Sequence, residues 1–230
     1  MQFDGTQKTI GTGAQAEVVL YHGYAYKIYK PSYPAEWIAF EKSQQKAVNE
    51  AGLCHVRYYD TDDEHIIKMD LVEGETLETR ARNGDPSCFS ILGQAFRFVH
   101  EKDISGIAIP RFIDTAGLQL NEQEKDIVLP IIEDLSSRME SRVCHLDMHF
   151  LNIMVPQGKN DFTIIDWINA RIAPPVFDYA RTYVIFNEFS KDGAALYEQL
   201  ILPQMWETGI TDRDFQDAVT AGTILRNHEK

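Results

Sequence analysis

No apolar run in these 230 residues approaches the ~18 that a membrane span needs. The opening MQFDGTQKTI is polar and lacks the apolar centre of a secretory signal. Neither a membrane nor export is expected from these two features. Cysteine is scarce: Cys54, Cys88 and Cys144 are odd in number and scattered, with no paired spacing for a metal site or a disulfide framework. They read as free thiols in a reducing cytoplasm. Positive charge is short as well, with 22 Lys and Arg against 35 Asp and Glu and a net charge of −13. That balance argues against nucleic acid and anionic membranes as main partners. It is compatible with a cationic substrate, although most of it is ordinary solvated surface. Internal repeats and low-complexity segments are also missing.

The chain does have 44% hydrophobic residues, enough for one sizeable core, whole or split between two lobes. Val18–Tyr21 and Tyr24–Tyr29 are β-rich runs separated by His22-Gly23, the signature of a tight hairpin. In that register Val18 faces Lys27 and Leu20 faces Ala25, and the four side chains share one face. Pro34–Ala51 reads as a helix with Trp37, Phe40, Ala47, Val48 and Ala51 on its apolar side and Glu41 at the edge of that side. Two more strands are expected around Val56–Tyr59 and His65–Leu71, joined by the acidic run Asp60–Glu64. After Gly74 the pattern turns mostly helical. Cys88–Glu101 is amphipathic, Asn121-Glu-Gln-Glu124 has the form of a capping box, and Pro130 should break or kink the helix it opens. Strands first and helices second predict an α+β chain in two lobes, residues 1–72 and 73–230.

The stretch VCHLDMHFLNIMV, Val143–Val155, places His145, Asp147, His149 and Asn152 in an apolar run. Buried polar groups need partners. Pro156–Asp161 is turn chemistry, so Ile153–Val155 and Phe162–Ile165 should form a hairpin with Val155 opposite Phe162, Ile153 opposite Ile164 and Asn152 opposite Ile165. Asn152 and Asp166 then stand side by side, roughly 5 Å apart at neighbouring-strand spacing. An amide oxygen beside a carboxylate suits Mg²⁺, which takes one or two protein oxygens along with phosphate and water. Asp147, a short loop upstream, can point into the same cleft. At the other end, Ile10-Gly-Thr-Gly-Ala-Gln-Ala-Glu-Val18 is a glycine-rich turn whose Gly11 and Gly13 would let backbone N–H groups approach phosphates. Val18 and Ala25 form a small apolar platform for an adenine, with Lys27 at its end. Lys27 needs a carboxylate when no phosphate is bound, and Glu41 is the candidate.

These motifs occur in the order of a kinase signature: glycine-rich loop, Ala25-Tyr-Lys27, Glu41, His145-Leu-Asp147 to Asn152, and Ile165-Asp-Trp167. The chain resembles the protein-kinase-like fold over roughly Ile10–Tyr183, and within it the aminoglycoside phosphotransferase and choline kinase group. His149 after Asp147, Asp-Trp at 166–167 and Asp178-Tyr-Ala180 carry that flavour. The resemblance implies an antiparallel-sheet N-lobe, a helical C-lobe and ATP in the cleft. It implies that Asp147 accepts or orients the acceptor hydroxyl's proton, that Asn152 and Asp166 hold Mg²⁺, and that Lys27, paired with Glu41, contacts the α/β-phosphates. Met69 would stand at the gatekeeper position, with the Asp70 carbonyl and Val72 N–H binding adenine and His145 bonding within its loop. The acceptor would be a hydroxyl on a small molecule.

Two departures matter. Ala16 replaces the loop's third glycine. Leu146 stands where this group usually has Gly and protein kinases have Arg, so the usual partner of a phosphorylated activation loop is missing. The short segment between Asp166 and Asp178 points the same way. Two other readings are a small atypical protein kinase like that of the tRNA-threonylcarbamoylation complex, which shares a Gly-Ala-x-Ala loop, and a nucleotide-binding pseudokinase. Intact Lys27, Asp147, Asn152 and Asp166 speak against the latter. A zinc pair of His145 and His149 would need a helix and Glu in place of Leu146. Asp60–Glu64 lacks the glycine and terminal Glu of a calcium loop. Cys144 and His145, adjacent on a strand, face opposite ways and do not form a nucleophilic pair.

Overall fold

The computed structural model describes residues 3–159 and 161–229; Met1, Gln2, Asn160 and Lys230 of the segments above lie outside the described residues. The chain begins with strands β1 (Lys8–Thr12), β2 (Ala16–Tyr21) and β3 (Tyr24–Tyr29), helix α1 (Ala35–Glu50), and strands β4 (Tyr58–Tyr59) and β5 (Ile66–Asp70). They make one antiparallel sheet in the order β1-β2-β3-β5-β4. The β2–β3 register is Val18 to Lys27 and Leu20 to Ala25, as the two-residue turn requires. His22 and Gly23 both have positive φ, 47° and 80°, the backbone of the turn that matches strand twist.

Strand β6 (Glu75–Thr76) follows, then helices α2 (Leu77–Arg82), α3 (Cys88–His100), α4 (Phe112–Thr115) and α5 (Glu122–Arg138). Strand β7 (Arg142–Cys144), a tight helical turn at Phe150–Asn152, and strands β8 (Ile153–Val155), β9 (Thr163–Ile164) and β10 (Arg171–Ala173) carry the central motifs. Helices α6 (Pro175–Phe189), α7 (Lys191–Leu200), α8 (Leu202–Trp206) and α9 (Asp212–Asn227) complete the chain. The architecture is the α+β, protein-kinase-like one: an antiparallel sheet with one helix first, a mainly helical part second.

Two expectations are corrected. Of the two outcomes expected of Pro130, the break does not occur: α5 runs through it, anchored by buried Val128, Ile132 and Leu135 and opened by the Asn121/Glu124 capping box. The apolar side of α1 is also rotated. Trp37 is 39% exposed, whereas Ile38, Glu41, Gln44, Gln45, Ala47 and Val48 are buried. Glu41 therefore sits at the centre of the buried face rather than at its edge. One strand is new: β6 pairs with β8, Glu75 opposite Val155. Gly74 permits this approach. Its φ is 121°, and a Cβ there would lie 2.3 Å from the Val155 carbonyl oxygen.

The main core joins α3, α5, β7–β10 and α6–α9, and it takes in the end of α1 with Leu53, Cys54 and Val56. The sheet has its own smaller clusters, Ala16, Tyr29, Ile38 and Ile67 under α1 and Val19, Tyr26 and Ile66 on the other face. Among the described residues no helix is long and apolar enough to cross a membrane.

Candidate active site

Lys27 lies on β3, and its Nζ donates to both oxygens of Glu41, at 2.8 and 3.0 Å. It also lies 3.5 Å from Asp166 Oδ1. Burial disfavours the ammonium, but the carboxylates of Asp166 and Glu41 outweigh it and hold the Lys27 pKa well above its usual value. Burial lifts Glu41 above the usual carboxylate range, with Lys27 opposing. Glu41 further accepts from the hydroxyls of Tyr29 and Tyr58. One helical turn along α1, the buried Gln44 amide donates to the Ala170 carbonyl at 2.8 Å. That bond ties the helix carrying Glu41 to the loop that follows Asp166.

The catalytic-loop candidates are held from below. His145 N and Leu146 N donate to the two oxygens of Asp178 at 3.0 and 2.8 Å, and Asp178, on α6, is fully buried. His100 Nε2 reaches Asp178 Oδ2 at 3.0 Å. Arg181, one turn further on α6, donates to the Leu146 carbonyl at 2.8 Å. The Leu146 peptide is thus gripped on both sides, with φ at 60°, a left-handed conformation that glycine adopts without strain. Sequence reading missed His100 and Arg181 and gave Asp178 no task. The i, i+3 spacing of Asp178 and Arg181 on one helix was the available signal. His100, Cys144 and Asp178 bring their ligating atoms within 4.8 Å of one another. The cluster does not suit a metal: Asp178 already accepts two N–H groups, Cys144 Sγ donates to the Ala173 carbonyl, and burial holds that thiol protonated.

His145 donates from Nε2 to the Ile165 carbonyl at 3.0 Å and accepts the Asp147 N–H at Nδ1, 3.3 Å. Burial pushes its pKa down, so it stays neutral. His149 Nδ1 accepts the Leu151 N–H at 3.2 Å, which leaves the proton on Nε2, 3.5 Å from Asp147 Oδ1. The two histidines therefore face separate partners and form no metal pair.

Asp147 Oδ2 accepts from the Asn152 amide at 3.0 Å. Its Oδ1 is buried and has no hydrogen-bond partner among the described residues. Burial alone would raise its pKa; the facing His149 and the Arg181 guanidinium more than offset this and hold the carboxyl well below its usual range. Asn152 directs its N–H₂ to the Asp147 carbonyl and carboxylate, 2.9 and 3.0 Å, which turns its Oδ1 to the other side. Ile165 N donates to the Asn152 carbonyl at 3.0 Å, one step beyond the Ile153–Ile164 pair. Asp166 follows with φ 63° and a half-exposed carboxylate. The Asn152 oxygen and the Asp166 carboxylate are hard donors of the kind Mg²⁺ takes.

Of the residues expected around a nucleotide, Met69 pairs with Ala25 across β3 and β5. The Asp70 side chain is turned away, accepting from Arg57 N and the Tyr59 hydroxyl. Val72 lies just past the end of β5. In the β1–β2 turn, Gly13 N donates to the Ala16 carbonyl at 2.8 Å. Neither Gly11 nor Gly13 has a positive φ, and a Cβ at either meets nothing closer than 3.5 Å. The fold itself does not demand glycine there; what the glycines leave is open backbone.

Solved structures share this fold. An ethanolamine kinase from Plasmodium vivax superposes with a TM-score of 0.71 at 15% identity, covering 97% of this chain and 74% of its own. An aminoglycoside phosphotransferase from Streptomyces rimosus gives 0.68 at 17% identity, covering 98% and 93%. A choline/ethanolamine kinase family protein from Mesorhizobium loti gives 0.55 at 14%, covering 99% and 89%. No curated protein matches by sequence. Residues 6–208 match the profile of the phosphotransferase enzyme family, and the chain belongs to that family.

Proposed function

We propose that the chain moves the γ-phosphoryl group of ATP to a hydroxyl of a small molecule, with residues 1–72 and 73–230 as the two halves of one catalytic unit. The observation that carries this reading is Asp147 Oδ1, buried beside Asn152 yet without a hydrogen-bond partner among the described residues. A buried acceptor left open in a polar cleft calls for a donor from outside, and the acceptor's O–H is that donor. Structural neighbours include one aminoglycoside phosphotransferase solved with ADP and hygromycin B and another with GDP and kanamycin, which supports nucleotide and small-molecule binding at this fold.

In this reading the acceptor oxygen bonds to the γ-phosphorus as the bridging O–P bond to ADP breaks, and the hydroxyl proton passes to Asp147 Oδ1 or stays bonded to it. The low pKa of Asp147 makes it a weak base, so its main task is to orient the hydroxyl; catalysis of this kind is chiefly positioning and charge neutralisation. His149 Nε2–H stands 3.5 Å from the same oxygen without a hydrogen bond to it and favours the charged carboxylate by its dipole. Lys27 leaves Asp166 and stays on Glu41 when it meets the α/β-phosphates. Asn152 Oδ1 and Asp166 would hold Mg²⁺, which would supply positive charge against that of the phosphates. Val18, Ala25 and Met69 would flank adenine, with the Asp70 carbonyl and Val72 N–H as its polar contacts and Gly11 and Gly13 over the phosphates.

A regulated protein kinase fits less well. Between Asp166 and Asp178 lie only a helical turn, β10 paired to β7, and the start of α6, which leaves no loop to carry a switching phosphate. ADP release measured over aminoglycosides, amino alcohols, sugars and nucleosides tests the proposal. Turnover with a small hydroxyl compound is expected; transfer to protein substrates alone would overturn it.

A further inference from the structure

The loop after α1 meets α3 and β9 around a cavity of about 420 Å³, lined by none of the residues assigned above to the reaction. That volume lies within the range of small-molecule pockets. Phe98 and Phe162 form one wall, their rings edge to face with centroids 6.0 Å apart. Cys54 and Ile164 form the floor, joined by a Sγ–H bond to the Ile164 carbonyl at 3.4 Å. His55 and Arg57 stand at the rim. Lys102 Nζ reaches the same rim, 3.3 Å from where a Cβ on Gly52 would be. Among the described residues neither the Arg57 guanidinium nor the Lys102 ammonium has an ion-pair partner. In a chain with 35 carboxylates against 22 cationic side chains, two cations left without a carboxylate on one cavity run against the overall balance.

We infer that this cavity binds a small organic anion: a flat apolar or aromatic body that packs on Phe98 and Phe162, with one carboxylate, sulfonate or phosphate held by Arg57 and Lys102. Aromatic walls supply most of the contact area, and charge-assisted hydrogen bonds from a guanidinium and an ammonium select the anion. The site is independent of the phosphotransfer reading. It adjoins the metal-binding candidates without overlapping them, because β9 runs from the cavity floor toward Asp166.

The probe is anilinonaphthalene sulfonate, an aromatic anion, titrated by fluorescence into the full chain with and without saturating Mg·ADP. The variants are R57S/K102Q and Phe98→Ser, all at exposed or half-buried positions, each checked by its thermal melt. Saturable one-to-one binding is expected, at least tenfold weaker in R57S/K102Q, weaker in Phe98→Ser, and unaffected by Mg·ADP. Binding within twofold of wild type in the double variant, competition by Mg·ADP, or no saturable binding would overturn the inference. If the double variant does not fold, salt decides. Affinity for the wild-type chain that falls between about 50 and 500 mM NaCl supports a charge-selected site, and salt-independent binding overturns it.

Discussion

Leu146 holds two opposed terms in one residue, and a pair of substitutions separates them. Its φ of 60° brings Cβ against the following carbonyl oxygen, a penalty of about 1–2 kcal/mol for any residue but glycine. Its side chain is 3% exposed and belongs to the main core. Leu146→Ala keeps the Cβ and loses the packing, so it should destabilise by about 3–5 kcal/mol, the range for fully buried leucines. Leu146→Gly loses the same packing but is freed of the backbone penalty. In ordinary helices and strands glycine is less stable than alanine by roughly 0.5–1 kcal/mol. Here the order should invert, with the glycine variant about 1 kcal/mol more stable than the alanine variant. Urea melts fitted with a shared m-value give the comparison directly. An alanine variant equal to or more stable than the glycine variant would refute the claim that backbone strain is stored at this peptide.

Three further outcomes follow from the geometry. Replacing Glu41 with Gln removes the charge that anchors Lys27 and leaves Asp166, at 3.5 Å, as its remaining carboxylate; the KM for Mg·ATP should rise at least about tenfold, or 1.4 kcal/mol, and an unchanged KM would remove Glu41 from the nucleotide site. His149→Leu deletes the N–H that stands 3.5 Å from Asp147 Oδ1 without a hydrogen bond to it and should lower kcat about threefold, less than 1 kcal/mol, with nucleotide KM unchanged; His149→Gln, which retains a donor, should recover most of the loss, and equal defects in both would make His149 merely structural. For pH, His145 is kept neutral by burial, so its folded pKa lies below the ~6.5 of the unfolded chain. The unfolded state then binds the proton first. The stability this contributes is complete above about pH 6.5 and is lost as pH falls toward the folded pKa, with a slope of at most about 1.4 kcal/mol per unit. His145→Gln should flatten that slope in chemical denaturation between about pH 6.5 and 5.

The two hairpin registers were readable from the sequence because short turns set them. His22-Gly23 admits one pairing, and the strands on either side of Pro156–Asp161 align their apolar positions in only one way. The rotation of α1 was not readable. Counting apolar positions put Trp37 and Phe40 inside, but the helix buries Glu41, Gln44 and Gln45, each answered by a partner far away in sequence: Lys27, the Ala170 carbonyl and the Val56 carbonyl. Periodicity cannot see a polar residue whose partner lies beyond the helix. The support beneath residues 145–146 was hidden for the same reason, since Asp178, Arg181 and, through Asp178, His100 come together there only after folding. Leu146 looked like a departure from the family pattern. The structure shows why glycine suits that position, and which two side chains hold the peptide in place when glycine is absent. The tautomer of His149, open in the sequence, follows from the bond its Nδ1 accepts from Leu151 N, which leaves Nε2–H on the side of Asp147.

The most direct test of the central claim is Asp147→Asn, measured by ADP release with the acceptor that gives turnover and by Mg·ATP binding in the same preparation. The substitution keeps the shape of the side chain and removes the charge that, in the proposed reaction, faces the acceptor hydroxyl. The expected result is a fall in kcat of at least a thousandfold, about 4 kcal/mol of lost transition-state stabilisation, with Mg·ATP affinity within about threefold, less than 1 kcal/mol. Full turnover in Asp147→Asn would contradict it.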